Sequence, residues 1–255
     1  MTIKFCYNNF VDNSTFWYNS SAKTGFPSSN LKHPFRTKKW VNTGTTGRVV
    51  FGRSTKYDAN CFAISDYDWT SQPSTLKIQA HTSTDFSGGG TTEIDLSSLW
   101  TANPSTLGNN AIIIKTFTTI KFKFFRLIAN HGSSFSIGKI FIGPYFQPTD
   151  NYLVDGLKET YEDPSKITKT VDGQDHVDEL TKYREKEFSF FIGGLAQWNK
   201  FREMINDVGI RKDMFIRFTT DAADETWYGK LSRSPTMSRV AVSNYKIKFN
   251  FRESR

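Results

Sequence analysis

Near the end of the chain, the stretch NYKIKFNFRE sets Tyr245, Ile247, Phe249 and Phe251 in alternation with Lys246, Lys248, Asn250 and Arg252. Successive side chains of a strand point to opposite faces, so a period of two puts the large apolar groups on one side and the polar groups on the other. A helix would scatter the same residues around its circumference. TLKIQAH repeats the pattern with Leu76, Ile78 and Ala80 against Lys77, Gln79 and His81, and TIKFKFFRLI with Ile120, Phe122 and Phe124 against Lys121 and Lys123. A chain built this way must fold as sheets with one wet and one dry face.

GRVVFGR, NCFAISD and FSIGKIFIG read as further short strands, separated by Ser/Thr/Gly/Asn loops. The stretch from 82 to 110, with SGGGTT and TANPST, carries turn and loop chemistry. Aromatic residues make up 15% of the chain, and such side chains favour a pleated, half-buried surface and fill a thin sandwich core. Regular short strands of this kind predict an all-β, mainly antiparallel fold with a jelly-roll β-sandwich over 1–146. Gly143-Pro144 and Pro148 in FIGPYFQPTDNY stop a strand and mark a boundary.

Beyond that boundary, 147–255 reads as a smaller β-sandwich domain interrupted by one short helix. KEFSFFI, MFIRFT and TWYGKLS are strands, with the alternating C-terminal stretch as the last. In GGLAQWNKFREMINDVG, Leu195, Trp198, Phe201, Ile205 and Val208 fall at spacings of three and four, a single helical stripe, with Gly209 placed for a left-handed cap. This stripe predicts that Trp198 and Phe201 are buried. The charged segment 155–184 is poor in apolar residues and reads as an arm or hairpin that orders against a partner.

Net charge is +8 and uneven. Between Asn13 and Tyr57 there are eight Lys/Arg and no carboxylate. In NLKHPFRTKKW, five of eleven positions are Lys, Arg or His, interleaved with Phe35 and Trp40. Nucleic-acid recognition would require a reading module or an aromatic platform motif, and neither is present. Arg36, Lys38 and Lys39 are therefore read as a basic edge that is solvated or faces a neighbouring subunit, with no sequence-specific nucleic acid as partner. No apolar run approaches the roughly 18 residues of a membrane helix, so no membrane insertion is expected. The opening MTIKFCYNNF has no secretory-signal pattern. Cys6 and Cys61 are too few for a disulfide framework and read as reduced core thiols.

His33, His81, His131 and His176 are too scattered for a metal site, and no Cys-x-x-Cys, GxSxG, HExxH or phosphate-loop motif occurs. No cofactor, metal or catalytic residue is expected, and the chain is not read as an enzyme. One acidic-aromatic stretch, ISDYDWT, could hold a sugar by stacking and hydroxyl bonds, which makes Asp66, Asp68 and Trp69 candidate glycan contacts; an exposed turn is the competing reading.

In order, SSNLKHPFRTKKW, CFAISDYDW, LKIQAHTSTDF and FFRLIANHGSSFSIGKIFIGPYF resemble the discoidin-like (galactose-binding-like) jelly rolls, over about Phe26 to Phe146. The set followed by the GPYFQPT junction is similar to tail-associated virion proteins of tailed bacteriophages. The later half, strand–helix–strands with TWYGKLS, resembles the tail-tube-like fold of distal tail and baseplate-hub proteins, although those more often put the ring-forming domain first. The resemblance implies a phage tail-tip component, made in the host cytoplasm and carried in the virion. It would form a homo-oligomeric ring joined to tube, hub or tip proteins. The jelly roll would sit peripherally, bracing a neighbour or meeting a host-surface glycan. The alternative is a lectin-like carbohydrate-binding protein acting through the jelly-roll loops.

Overall fold

The computed structural model describes residues 2–20, 22–34, 37–69, 71–86, 90–99, 112–148, 153–169, 172, 174–219, 224–242 and 244–254. Its strands are β1 (Thr2–Cys6), β2 (Thr15–Asn19), β3 (Trp40–Asn42), β4 (Thr46–Ser65), β5 (Thr75–His81), β6 (Thr92–Asp95), β7 (Ile112–Asn130), β8 (Phe135–Ile137) and β9 (Lys139–Gly143). Then come β10 (Tyr145–Phe146), β11 (Leu153–Glu162), β12 (Lys166–Lys169), β13 (Asp175–Asp178) and β14 (Tyr183–Gly193). The helix α1 (Leu195–Val208) precedes β15 (Met214–Thr219), β16 (Asp224–Leu231), β17 (Thr236–Ala241) and β18 (Asn244–Glu253). Among the described residues the fold is all-β and antiparallel with one short α-helix. The chain divides into two compact units, Phe5–Tyr145 and Phe146–Arg255, the latter joined by Met1–Lys4.

The Phe5–Tyr145 unit is a jelly-roll β-sandwich. One sheet has the order β2-β4-β7-β5-β6 with β9 also on β4, and a ribbon of β3 and β8 completes it. β4 and β7 run the length of the unit, from Thr46↔Asn130 to Ser65↔Ile112. GRVVFGR and NCFAISD, expected as separate strands, are thus two halves of β4. Leu76, Ile78 and Ala80 are enclosed as their period requires, whereas Ile120, Phe122 and Phe124 are half-buried and the enclosed row of β7 runs through Phe125 and Leu127, against Phe51 of β4. Trp40 meets Phe135 edge to face at 5.8 Å. That contact needs Gly47, because a Cβ there would come within 2.9 Å of Trp40 and closer still to Phe135.

In the second unit the sheet order is β1-β15-β16-β18-β14-β11, with β10 beside β1 and β17 beside β18. Phe188, Phe190 and Ile192 of β14 and Ile247, Phe249 and Phe251 of β18 share the buried face. α1 ends where expected, at Gly209, which donates its N–H to Ile205 O at 2.8 Å; its φ of 54° is positive as expected, but its ψ of −150° is extended and not that of a left-handed helical cap. Its buried row is Phe201, Met204 and Val208. Leu195 is exposed. The expected burial of Trp198 is corrected: it is half-buried, and its ring lies flat on Tyr245 at 4.3 Å and 13°.

The charged segment 155–184 is in part ordinary sheet. β11 pairs with β14 from Leu157↔Phe188 to Glu162↔Tyr183. Only β12 and β13 stand apart as a two-stranded ribbon, with Ile167 and Val177 exposed.

Candidate functional site

Halfway along β4 the pairing with β7 slips. Gly52 stands opposite Phe124 and Tyr57 opposite Phe122, so the four residues Arg53, Ser54, Thr55 and Lys56 face the single residue Lys123. Surplus residues in one strand must leave the ladder and bend it. The bulge is pinned at its base by Arg53. Its guanidinium donates to the carbonyls of Asn9 at 3.2 Å and Phe10 at 3.0 Å, and it lies 4.7 Å from the ring centres of both Phe10 and Tyr57. The Tyr57 hydroxyl donates to Asn8 O.

Beside the bulge is an open cavity of about 630 Å³. Asn13, Thr15, Ser54, Thr55 and Thr82 supply polar groups to its lining, Arg53 and Lys123 supply cations, and Phe124 is its aromatic residue. Among the described residues that lining holds no carboxylate. Its polar groups are also unspent: the side chains of Asn13, Thr15, Ser54, Thr55, Thr82 and Lys123 make no hydrogen bond or ion pair among the described residues. Arg53, by contrast, is occupied in holding the bulge.

The sequence placed its candidate sugar contacts elsewhere. Asp66 is buried at the end of β4 with φ 59°, a left-handed turn uncommon outside glycine. That turn carries Tyr67 and Trp69 inward. Trp69 is 1% exposed, with Tyr67 at 4.6 Å and Phe135 at 6.0 Å, so its ring offers no face to a sugar. Asp68 is exposed, and one carboxylate oxygen accepts the Ser136 N–H at 2.6 Å, bracing β8. The three residues form a structural corner.

In the expected basic edge, Arg36 lies outside the described residues. Lys38 is exposed and Lys39 is half-buried, its carbonyl accepting the Asn30 side-chain N–H at 2.8 Å. Nearby, burial first and then the charges of Lys38 and Lys139 hold His33 below the ordinary imidazole pKa. Lys139 is enclosed, bonded to Asp12 at 2.7 Å. Among the described residues no group of three His, Cys, Asp or Glu could hold a metal ion, and no helix is long and apolar enough to cross a membrane.

No family model and no curated protein sequence matches the chain. Solved structures do resemble it. Chitosan-binding module 1 of a chitosanase/glucanase from Paenibacillus sp. IK-5 is 19% identical with a TM-score of 0.40, over 54% of this chain and 100% of that one. The CBM32 of AlyQ in complex with 4,5-unsaturated mannuronic acid is 16% identical with a TM-score of 0.39, over 56% and 97%. CpGH89CBM32-6 of Clostridium perfringens is 18% identical with a TM-score of 0.38, over 53% and 98%. These are discoidin-like jelly-roll modules, and the tail-tip and tail-tube likenesses read from the sequence have no counterpart among the three. The sandwich class of this chain rests on its own strand pairing.

Proposed function

We propose that the Phe5–Tyr145 unit is a carbohydrate-binding module whose ligand occupies the bulge cavity. The observation that carries this is the lining: five uncommitted polar side chains and one uncommitted ammonium beside an aromatic residue, in a space of about 630 Å³. Small-molecule sites span roughly 300–1,000 Å³ and fix their ligands with a few convergent polar groups. Sugars need many hydroxyl partners and one apolar face, and this lining supplies both. Lys123, with no carboxylate in the described lining, favours a sugar that carries an anionic group. The test is a glycan array probed with the full chain, followed by titration calorimetry of the hits. A reading of no binder across neutral and acidic glycans would end the proposal.

A second reading has its own observation, in the Phe146–Arg255 unit. Every β12 residue is exposed, Val177 in β13 is exposed, and Ile167 is 70% exposed. A two-stranded ribbon is marginal alone in water, so a covering neighbour is expected. This favours an assembling protein, in the form of a ring-forming component of a phage tail tip in which Arg36, Lys38 and Lys39 meet the acidic surface of the next copy. Light scattering tests the ring, and mass spectrometry of purified particles tests the virion. A strict monomer at all concentrations, absent from particles, would remove it.

A further inference from the structure

We infer that Cys6 and Cys61 are a latent cross-link, two thiols that become one intramolecular disulfide when the protein meets a disulfide oxidant. Their sulfurs lie 2.9 Å apart although the residues are 55 positions apart in sequence. Both are 0% exposed. That approach is closer than ordinary contact between two sulfur atoms, and it is built into the backbone. On one side, Cys61 sits in the middle of β4, opposite Thr116 of β7 and opposite Gly143 of β9. On the other, the chain just after Cys6 is laced along β9. The Tyr7 N–H reaches Pro144 O at 3.3 Å and the Phe10 N–H reaches Ile142 O at 2.7 Å. Asn9 donates to Ile140 O at 2.9 Å and accepts from the Ile142 N–H at 3.0 Å. Each cysteine is therefore held by β9, and the pair meets there.

Among the described residues no third ligand stands ready to share a metal with them. Cys61 Sγ also lies 4.0 Å from Phe62 O, a weak contact.

The chemistry is thiol–disulfide exchange with oxidised glutathione as the oxidant. One cysteine, as thiolate, attacks a glutathione sulfur, forming a mixed disulfide and releasing one glutathione thiolate. The second cysteine, as thiolate, then displaces the other glutathione and closes the Cys6–Cys61 bond. Two protein S–H groups lose two protons and two electrons, and the glutathione disulfide gains them as two thiols. Because both sulfurs are enclosed, attack requires a local opening of the β1 end. Closure should therefore be slow in the folded protein and faster in mild denaturant.

The experiment uses the full chain, purified in reductant and then equilibrated with oxidised glutathione. Trapping with iodoacetamide after denaturation should leave both cysteines unlabelled, in a monomer lighter by two hydrogens, and re-reduction should restore two labelled sites. A bridge over this span also restricts the unfolded chain, so the oxidised protein should melt roughly 5–15 °C above the reduced one. Cys61→Ala should lose the melting difference and retain a single labelled thiol. The wild-type labelling result stands without that variant if it folds poorly. The inference is overturned if both cysteines remain fully labelled, if the only bridges are between chains, or if the bridge forms without raising the melting temperature.

Discussion

Two lysines show how differently the two units use a cation. Lys186, in the Phe146–Arg255 unit, is 1% exposed. It sits on the core face of β14, 3.4 Å from Glu159 and 4.0 Å from the centre of the Trp227 ring. Arg184 covers the same ring at 4.2 Å and binds Glu253 through two bonds of 2.9 and 3.0 Å. Lys123, in the Phe5–Tyr145 unit, is half-buried at the bulge cavity and has no carboxylate among the described residues. A buried charge must be paired or it is too costly to keep. An unpaired cation at a cavity wall keeps its field for whatever enters. The same residue type is structure in one unit and available chemistry in the other.

The largest effect that could break this contrast lies at Arg184. Burial works against its charge, and the Glu253 bonds, with Glu159 beyond, more than offset that, so its pKa lies above the ordinary guanidinium value. Arg184→Ala should cost about 3–5 kcal/mol in urea unfolding, since it takes both guanidinium bonds from the buried Glu253. Arg184→Met with Glu253→Leu should cost less than the single change. Equal costs would mean that the pair stabilises by packing alone.

Next in size is the helix. Phe201→Ala should cost about 3–5 kcal/mol, as for a fully enclosed ring. Trp198→Ala should cost only about 1–2 kcal/mol, because the ring is half-buried and loses mainly its stack on Tyr245 and its contact with Phe201. A Trp198 cost matching that of Phe201 would show that the half-buried ring is further covered in solution.

What the sequence disclosed and what it hid follow from the range of the forces involved. Alternation is local, so β5, much of β7, β14 and β18 were legible from it. The limits of α1 were legible from Gly194 and Gly209. Its face was legible in part: Phe201 and Val208 of the expected stripe are buried, but the third buried residue is Met204, and Leu195 and Trp198 are not enclosed. β17 was missed because all of its residues are exposed and nothing alternates. The bulge was hidden because GRVVFGR and NCFAISD look the same whether a loop or a bulge joins them. Only their partner strand, about 70 residues later, shows that Lys123 faces four residues. Nothing in the sequence distinguishes Arg53 among the eight cations between Asn13 and Tyr57, since the carbonyls it binds lie more than forty positions earlier. ISDYDWT reads identically with Trp69 in or out, and the left-handed turn at Asp66 decides it.

A smaller effect is expected at Asp163, a carboxylate exposed to water yet locally bonded. The Ser165 side chain, then Lys182, then the Ser165 N–H hold its pKa down to about 2. A depressed folded pKa stabilises the fold above the unfolded value, near 3.8, and that contribution fades as pH falls through about 2. An NMR titration should place the Asp163 midpoint near 2, and Ser165→Ala should move it up toward 3.8. A midpoint already at the ordinary value would show that the turn after β11 is open in solution.

The smallest effect on stability, and the one that sharpens the contrast most, is at Lys123. If its ammonium is free for a ligand, the fold owes it little. Lys123→Ala should change urea unfolding by no more than about 0.5 kcal/mol, the usual scale for a side chain without a structural partner. The same change should weaken binding of an acidic oligosaccharide while leaving its neutral counterpart nearly unaffected. The acidic preference of the wild type should also shrink as salt rises, because a partly exposed cation is screened over a Debye length of about 8 Å at physiological ionic strength. The outcomes separate cleanly. Large destabilisation with no change in selectivity would make Lys123 a structural residue like Lys186. Equal loss for neutral and acidic sugars would keep the cavity as the binding site and remove the anionic preference. Undiminished binding of both would move the sugar site away from the bulge.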